Sequence, residues 1–129
     1  MTVEPIAPDD APALLALAAE WGHRVWNVLG NSAGIVARDR HGVAGFVLLR
    51  EAPFGIVIDE MWAYPNRRGK TALSALYRWL EHTARDMAKK RHAPMRVGGV
   101  VHAESAHMMR AMERRGYTPV ASVFAKVFA

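Results

Sequence analysis

Between Ile56 and Ser74 the chain runs from a β-branched, aromatic stretch through Asp59, Glu60, Met61 and Trp62 to Pro65. It then enters an apolar periodic segment by way of Asn66-Arg67-Arg68-Gly69-Lys70-Thr71. That is the composition of an anion cradle. The first turn of a helix has backbone N–H groups without intrahelical acceptors and carries about half a unit of positive charge. Arg67, Arg68 and Lys70 add full charges, and Gly69 removes a Cβ from the path of an approaching ligand. A pyrophosphate matches such a site in charge and extent. The same residues also read as a solvated turn in which Thr71 caps the helix, and residue types alone leave both readings open. A nucleotide-binding Walker A loop is excluded although Gly69-Lys70-Thr71 reproduces its end, because its required upstream glycine falls on Tyr64.

Two carboxylates stand just before this segment. In a regular strand Asp59 and Glu60 point to opposite faces, so one of them can cap a turn or pair with an arginine while the other meets solvent. Other chemistries find less support. The chain contains no cysteine, which removes thiol nucleophiles, thiolate metal sites and disulfides and fits a reducing, cytoplasmic setting. Its six histidines form no i, i+4 pair and no His-Glu-x-x-His arrangement, so no metal site is expected.

The elements that must position these residues follow from periodicity. Val3 to Ile6 reads as a short strand. Ala11 to Trp21 reads as a helix capped by Asp9 or Asp10 and stopped by Gly22, with a second short helix between His23 and Ala33. Gly34–Arg38, Val43–Arg50 and Gly55–Tyr64 alternate with turns at Asp39–Gly42 and Ala52–Gly55, giving a three-stranded meander. From Ala72 to Lys90, Leu73, Leu76, Leu80, Ala84 and Met87 recur at steps of three and four, the signature of a long amphipathic helix. Pro94 then breaks the chain. Met95–His102 reads as a strand, Glu104–Arg115 as a helix ended by Gly116, and Tyr117–Phe128 as one or two closing strands. The 129 residues, with 51% hydrophobic and 22% charged, suit one domain over residues 1–129. The expected fold class is α/β (α+β), a mixed sheet of six to seven strands flanked by helices, in the order β-α-(α)-β-β-β-α-β-α-β-β. Three consecutive strands joined by tight turns exclude a doubly wound fold.

Pro65-Asn66-Arg67-Arg68-Gly69-Lys70-Thr71-Ala72-Leu73, placed between a strand and a long helix, resembles motif A of the GNAT superfamily of acyl-CoA-dependent N-acyltransferases. Glu113-Arg114-Arg115-Gly116-Tyr117 resembles the late signature of that family, and the element order of nearly the whole chain is similar to it. The resemblance implies an N-acetyltransferase that takes acetyl-CoA as cosubstrate and acetylates a small-molecule or protein amine. It implies that the main chain of Met61, Trp62 and Ala63 holds the pantetheine arm, that the pyrophosphate lies over Arg68, Gly69, Lys70, Thr71 and Ala72, flanked by Arg67 and Ser74, and that Glu60 acts as general base.

The chain departs from the motif at Thr71 and Leu73, where the family carries glycine or alanine, and at Met112, where it often carries a tyrosine that protonates the leaving thiolate. These departures favour, as the alternative, a GNAT-fold protein of weak or no turnover that binds CoA or another protein, such as a bacteriophage accessory or virion component. Trp21, Trp26 and Tyr64 read as core first and acceptor-pocket lining second.

A net charge of +5 and a pI near 10.1 favour anionic ligands. The basic residues from Arg85 to Arg96 lie where a helix end attracts cations anyway, and no nucleic-acid-binding motif accompanies them. The sequence contains no apolar run of the ~20 residues that span a bilayer. A homodimer remains compatible with it.

Overall fold

The computed structural model describes residues 1–20, 33–99, 110 and 112–117. Two compact units divide the chain, Met1–Gly98 and Gly99–Ala129. The first contains β1 (Thr2–Pro5), α1 (Ala11–Ala19), β2 (Ala33–Asp39), β3 (Gly42–Ala52), β4 (Gly55–Ala63) and α2 (Arg67–Arg91), together with nearly all of β5 (Arg96–Gly99). The strands form one sheet in the order β1-β2-β3-β4-β5. β1 to β4 are successively antiparallel, and α2 carries the chain over the sheet between β4 and β5.

Each face of the sheet buries its own core. Leu14, Leu17 and Ala18 of α1 pack on Val36, Val43, Phe46 and Leu48. Ala72, Leu76, Leu80 and Ala84 of α2 pack on Ile35, Ala37, Ala44, Val47, Ile56 and Ala63. The central strand β3 is therefore apolar on both sides, which is why Val43–Leu49 reads as a nearly unbroken hydrophobic run. Leu76 and Leu80 are fully buried, and each contributes about 1.5–3 kcal/mol relative to exposure.

Two bulges set the pairing of β3. Opposite β2, Ala37 faces Gly45 and Arg38 faces Val43, so Ala44 is the extra residue. Opposite β4, Leu48 faces Glu60 and Leu49 faces Ile58, so Asp59 is the extra residue. The second bulge reverses the alternation of β4. Ile56 and Ile58 face α2 before it, and Met61 and Ala63 face α2 after it.

Asp10 occupies the N-cap position of α1, but its side chain is used elsewhere. It accepts the Ala7 N–H at 2.8 Å and an Arg38 N–H at 2.7 Å, and Arg38 also pairs with Glu4. Burial pushes the Asp10 carboxyl upward, but the bonds from Arg38 and Ala7 outweigh it and hold its pKa below the ordinary value.

The long helix starts five residues before the expected Ala72, at Arg67, because Asn66 rather than Thr71 caps it. It ends at Arg91 with His92 left-handed (φ 51°) as C-cap. Arg91 binds the Ala52 and Pro53 carbonyls, both at 3.3 Å, and pairs with Glu51, all at the far end of the β3–β4 hairpin.

Within Gly99–Ala129, Arg110 and Met112–Arg114 are helical. Gly116 (φ 90°) follows, and the Tyr117 N–H returns to the Met112 carbonyl at 3.1 Å, closing the helix as the expected glycine stop requires. The expected Gly22 stop, the short helix expected after His23 and the start of the late helix lie outside the described residues. So do Trp21, Trp26 and the closing strands beyond Tyr117. Five of the expected six to seven strands are thus on view.

Candidate functional site

The segment singled out for chemistry becomes the end of β4, a tight junction at Tyr64–Asn66, and the first two turns of α2. Asn66 is extended, and its side chain accepts the Gly69 N–H at 3.0 Å while its carbonyl accepts the Lys70 N–H at 3.1 Å. The cap therefore satisfies one first-turn amide and leaves those of Arg67 and Arg68 outside the intrahelical ladder. Gly69 has a different reason from the expected one. A Cβ there would stand 1.6 Å from the Tyr64 carbonyl oxygen, so glycine lets the helix close onto the end of its own preceding strand. Gly45 plays the matching part below, where a Cβ would meet the Ala72 Cβ at 3.1 Å.

Helical spacing then sorts the basic segment into two faces. Arg67, Lys70, Thr71 and Ser74 are exposed and share one face at steps of three and four. Arg68, Gly69 and Ala72 turn toward the sheet. Arg68 donates from Nε to Asp39 Oδ2 at 2.6 Å and from its terminal nitrogen to the Val43 carbonyl at 3.1 Å, and its guanidinium carbon lies 5.2 Å from the centre of the Tyr64 ring. The hydrogen bond from Arg68 is the main cause that holds the Asp39 carboxyl at about 2; slight burial opposes it, and the His41 N–H at 2.8 Å adds to it. The Thr71 hydroxyl donates back to the Arg67 carbonyl at 3.1 Å.

On β4 the bulge corrects the expected divergence of the two acids. Asp59 pairs with Arg50, with both contacts at 2.9 Å, and Arg50 alternates in register with Phe46 and Leu48 on the α1 face. Glu60 accepts a bond from the indole N–H of Trp62, which packs on the same α1-side core. The acids therefore share a face rather than straddle the strand. Met61 packs on the α2-side core and Ala63 is buried there, so anything they offer a ligand comes from their main chain. Tyr64 packs against the α1-side core, in keeping with the first of its two readings.

The structure thus gathers Arg67, Lys70, Thr71 and Ser74 at one exposed helix face and joins Glu60 to Trp62, while it draws the Arg68 side chain away to the sheet. Two side-chain contributions were missed in the sequence, which expects only the main chain of Trp62 to take part. Asp39 reads there as a turn residue, and nothing in its local pattern signals a partner 29 positions away. Trp62 reads as a strand aromatic, although its i, i+2 spacing from Glu60 was available as a signal.

The chemical fit to a phosphorylated ligand rests on these groups. Two exposed cations, Arg67 and Lys70, flank the helix-start amides that the cap leaves outside the intrahelical ladder.

The sequence matches no protein-family model and no curated protein. Solved structures do match in shape. A transcriptional regulator from Bacillus halodurans C-125 superposes with a TM-score of 0.74 at 14% identity, over 98% of this chain and 99% of that one. A GCN5-related N-acetyltransferase from Sphaerobacter thermophilus gives 0.70 at 22% identity, over 92% of this chain and 44% of the other. An aminoglycoside N-acetyltransferase in complex with CoA gives 0.64 at 10% identity, over 98% and 93%. The chain accordingly has the fold of the GCN5-related N-acetyltransferases, the mixed α/β architecture that its order of elements implies.

Proposed function

We propose that this chain, over residues 1–129, is an acyl-CoA-dependent N-acetyltransferase that moves an acetyl group from acetyl-CoA to a primary amine on a small molecule or a protein. The observation that carries the reading is the junction of β4 with α2. The strand bearing Glu60 feeds, through Pro65, directly into a capped helix start flanked by the exposed cations Arg67 and Lys70. A diphosphate there would take the amides and charges of the segment from Arg67 to Ala72, with Ser74 one turn on. The main chain of Met61, Trp62 and Ala63 would hold the pantetheine arm.

The chemistry follows from what the amine needs. Its nitrogen must be unprotonated to attack the thioester carbonyl, so a carboxylate that accepts its proton directly or through water accelerates transfer, and Glu60 takes that role. A hydrogen-bond donor toward the carbonyl oxygen would stabilise the charge that develops on it. No helix among the described residues is long and apolar enough to cross a membrane.

The test is a thermal unfolding series with CoA and acetyl-CoA. Ligand at about 100 times its dissociation constant adds about 2.7 kcal/mol to stability. Glu60→Gln is expected to lower kcat in acetyl transfer to a panel of amines with little change in CoA affinity. Absence of any stabilisation at millimolar CoA overturns the proposal. Binding without transfer to any amine would instead favour the non-catalytic alternative, which Thr71 and Met112 at motif positions already make specific.

A further inference from the structure

Arg68 is gripped from three sides. Its Nε meets Asp39, its terminal nitrogen meets the Val43 carbonyl, and its guanidinium lies over the Tyr64 ring. Asp39 ends β2 and Val43 is the second residue of β3, so both hydrogen-bond acceptors belong to the β2–β3 hairpin, while Tyr64 directly follows β4. The planar group therefore ties three strand ends to the second residue of α2. Its charge is compensated by Asp39, and its side chain is drawn away from the exposed face that carries Arg67 and Lys70.

We propose that Asp39 is a positioning residue for the phosphate cradle: acting through the Arg68 guanidinium, it fixes the first turn of α2 so that the helix-start amides face a diphosphate already aligned. Arg68 then serves the ligand through its backbone, and its side chain works as a latch rather than a phosphate contact. The inference rests on the reading of the site as a CoA cradle. Its physical content is pre-organisation. A turn already held in place loses less freedom on binding than one that must be ordered by the ligand.

The two possible roles of Arg68 predict opposite signs for the same substitution. If its guanidinium bound phosphate directly, Asp39 would compete with the ligand, and Asp39→Asn would free the guanidinium and tighten CoA binding. As a latch, Asp39→Asn loosens the turn and weakens CoA binding, by about tenfold for a charge-assisted bond. Isothermal titration with CoA is measured for Asp39→Asn, Arg68→Gln and the double variant. The expected result is that Asp39→Asn weakens binding, that Arg68→Gln, which loses all three contacts, weakens it at least as much, and that the double variant is no weaker than Arg68→Gln, because Asp39 acts only through Arg68. Tighter or unchanged binding in Asp39→Asn overturns the proposal, as do additive losses in the double variant.

Amide hydrogen exchange separates this result from failure of the CoA reading. The Gly69 and Lys70 amides, both bonded to Asn66, are expected to exchange faster in Asp39→Asn than in the parent without any ligand. Faster exchange with no CoA binding in the parent sinks the cradle and leaves only a structural latch. Unchanged exchange sinks the latch itself.

Discussion

Gly69 is the residue on which the junction turns. Its neighbour is backbone, the Tyr64 carbonyl, which cannot rotate away as a flexible side chain can. Gly69→Ala is therefore expected to destabilise the protein by about 1–3 kcal/mol, the range for forcing an extra carbon into packed surroundings. Gly98→Ala, where an added Cβ meets nothing within 4 Å among the described residues, should stay within about 0.5 kcal/mol. Urea unfolding of the two variants decides the matter, and equal effects would refute the steric explanation. The residue types of this segment were legible as an anion cradle, but the work each one does was not. Arg68 looks like a third phosphate cation until Asp39, distant in sequence, is seen to hold it, and Gly69 looks like a ligand contact until the strand behind it is seen.

At the scale of elements, α2 depends on its cap. Asn66 both accepts the Gly69 amide and turns the chain from β4 into the helix, so Asn66→Ala should cost about 1 kcal/mol and speed exchange in the first turn. Hydrogen exchange resolved by residue will report it, and a loss spread evenly over the helix would contradict the capping argument. The body of α2 was readable because five apolar side chains recur on one face and the structure buries that face. Its start was not, because Arg67, Arg68 and Lys70 add no apolar period and a basic first turn opposes the helix dipole. The β4 bulge was hidden for a related reason. Period-two alternation assumes regular pairing, and one extra residue at Asp59 moves every later side chain to the other face. The meander itself was legible because Gly42 (φ 105°) and Gly55 (φ 142°) stand at its turns.

For the molecule as a whole, two carboxylates that bind arginines from distant elements, Asp10 to Arg38 and Asp39 to Arg68, shape its response to acid. Both have folded pKa values lowered below the ordinary aspartate value of about 3.9. Their contribution is complete above that value and is lost as pH falls through the folded values, about 2 for Asp39. The melting temperature should therefore decline from about pH 4 downward, and Asp39→Asn should flatten part of that decline while lowering the plateau at neutral pH. A decline of the same depth in parent and variant would remove Asp39 from the explanation.

The two arginine anchors, Arg68 at one hairpin and Arg91 at the other, also make α2 a strut cut to measure. Its 25 residues span about 37 Å at 1.5 Å each, and the 11 residues of β3 beneath it span about 37 Å at 3.4 Å each. One residue added inside the helix lengthens it by about 1.5 Å and swings one end by about 100°, so one arginine keeps its socket only if the other abandons its own. Evolution can redecorate the outward face of this rod freely, but it can alter the count of residues between its ends only by refitting the sheet below.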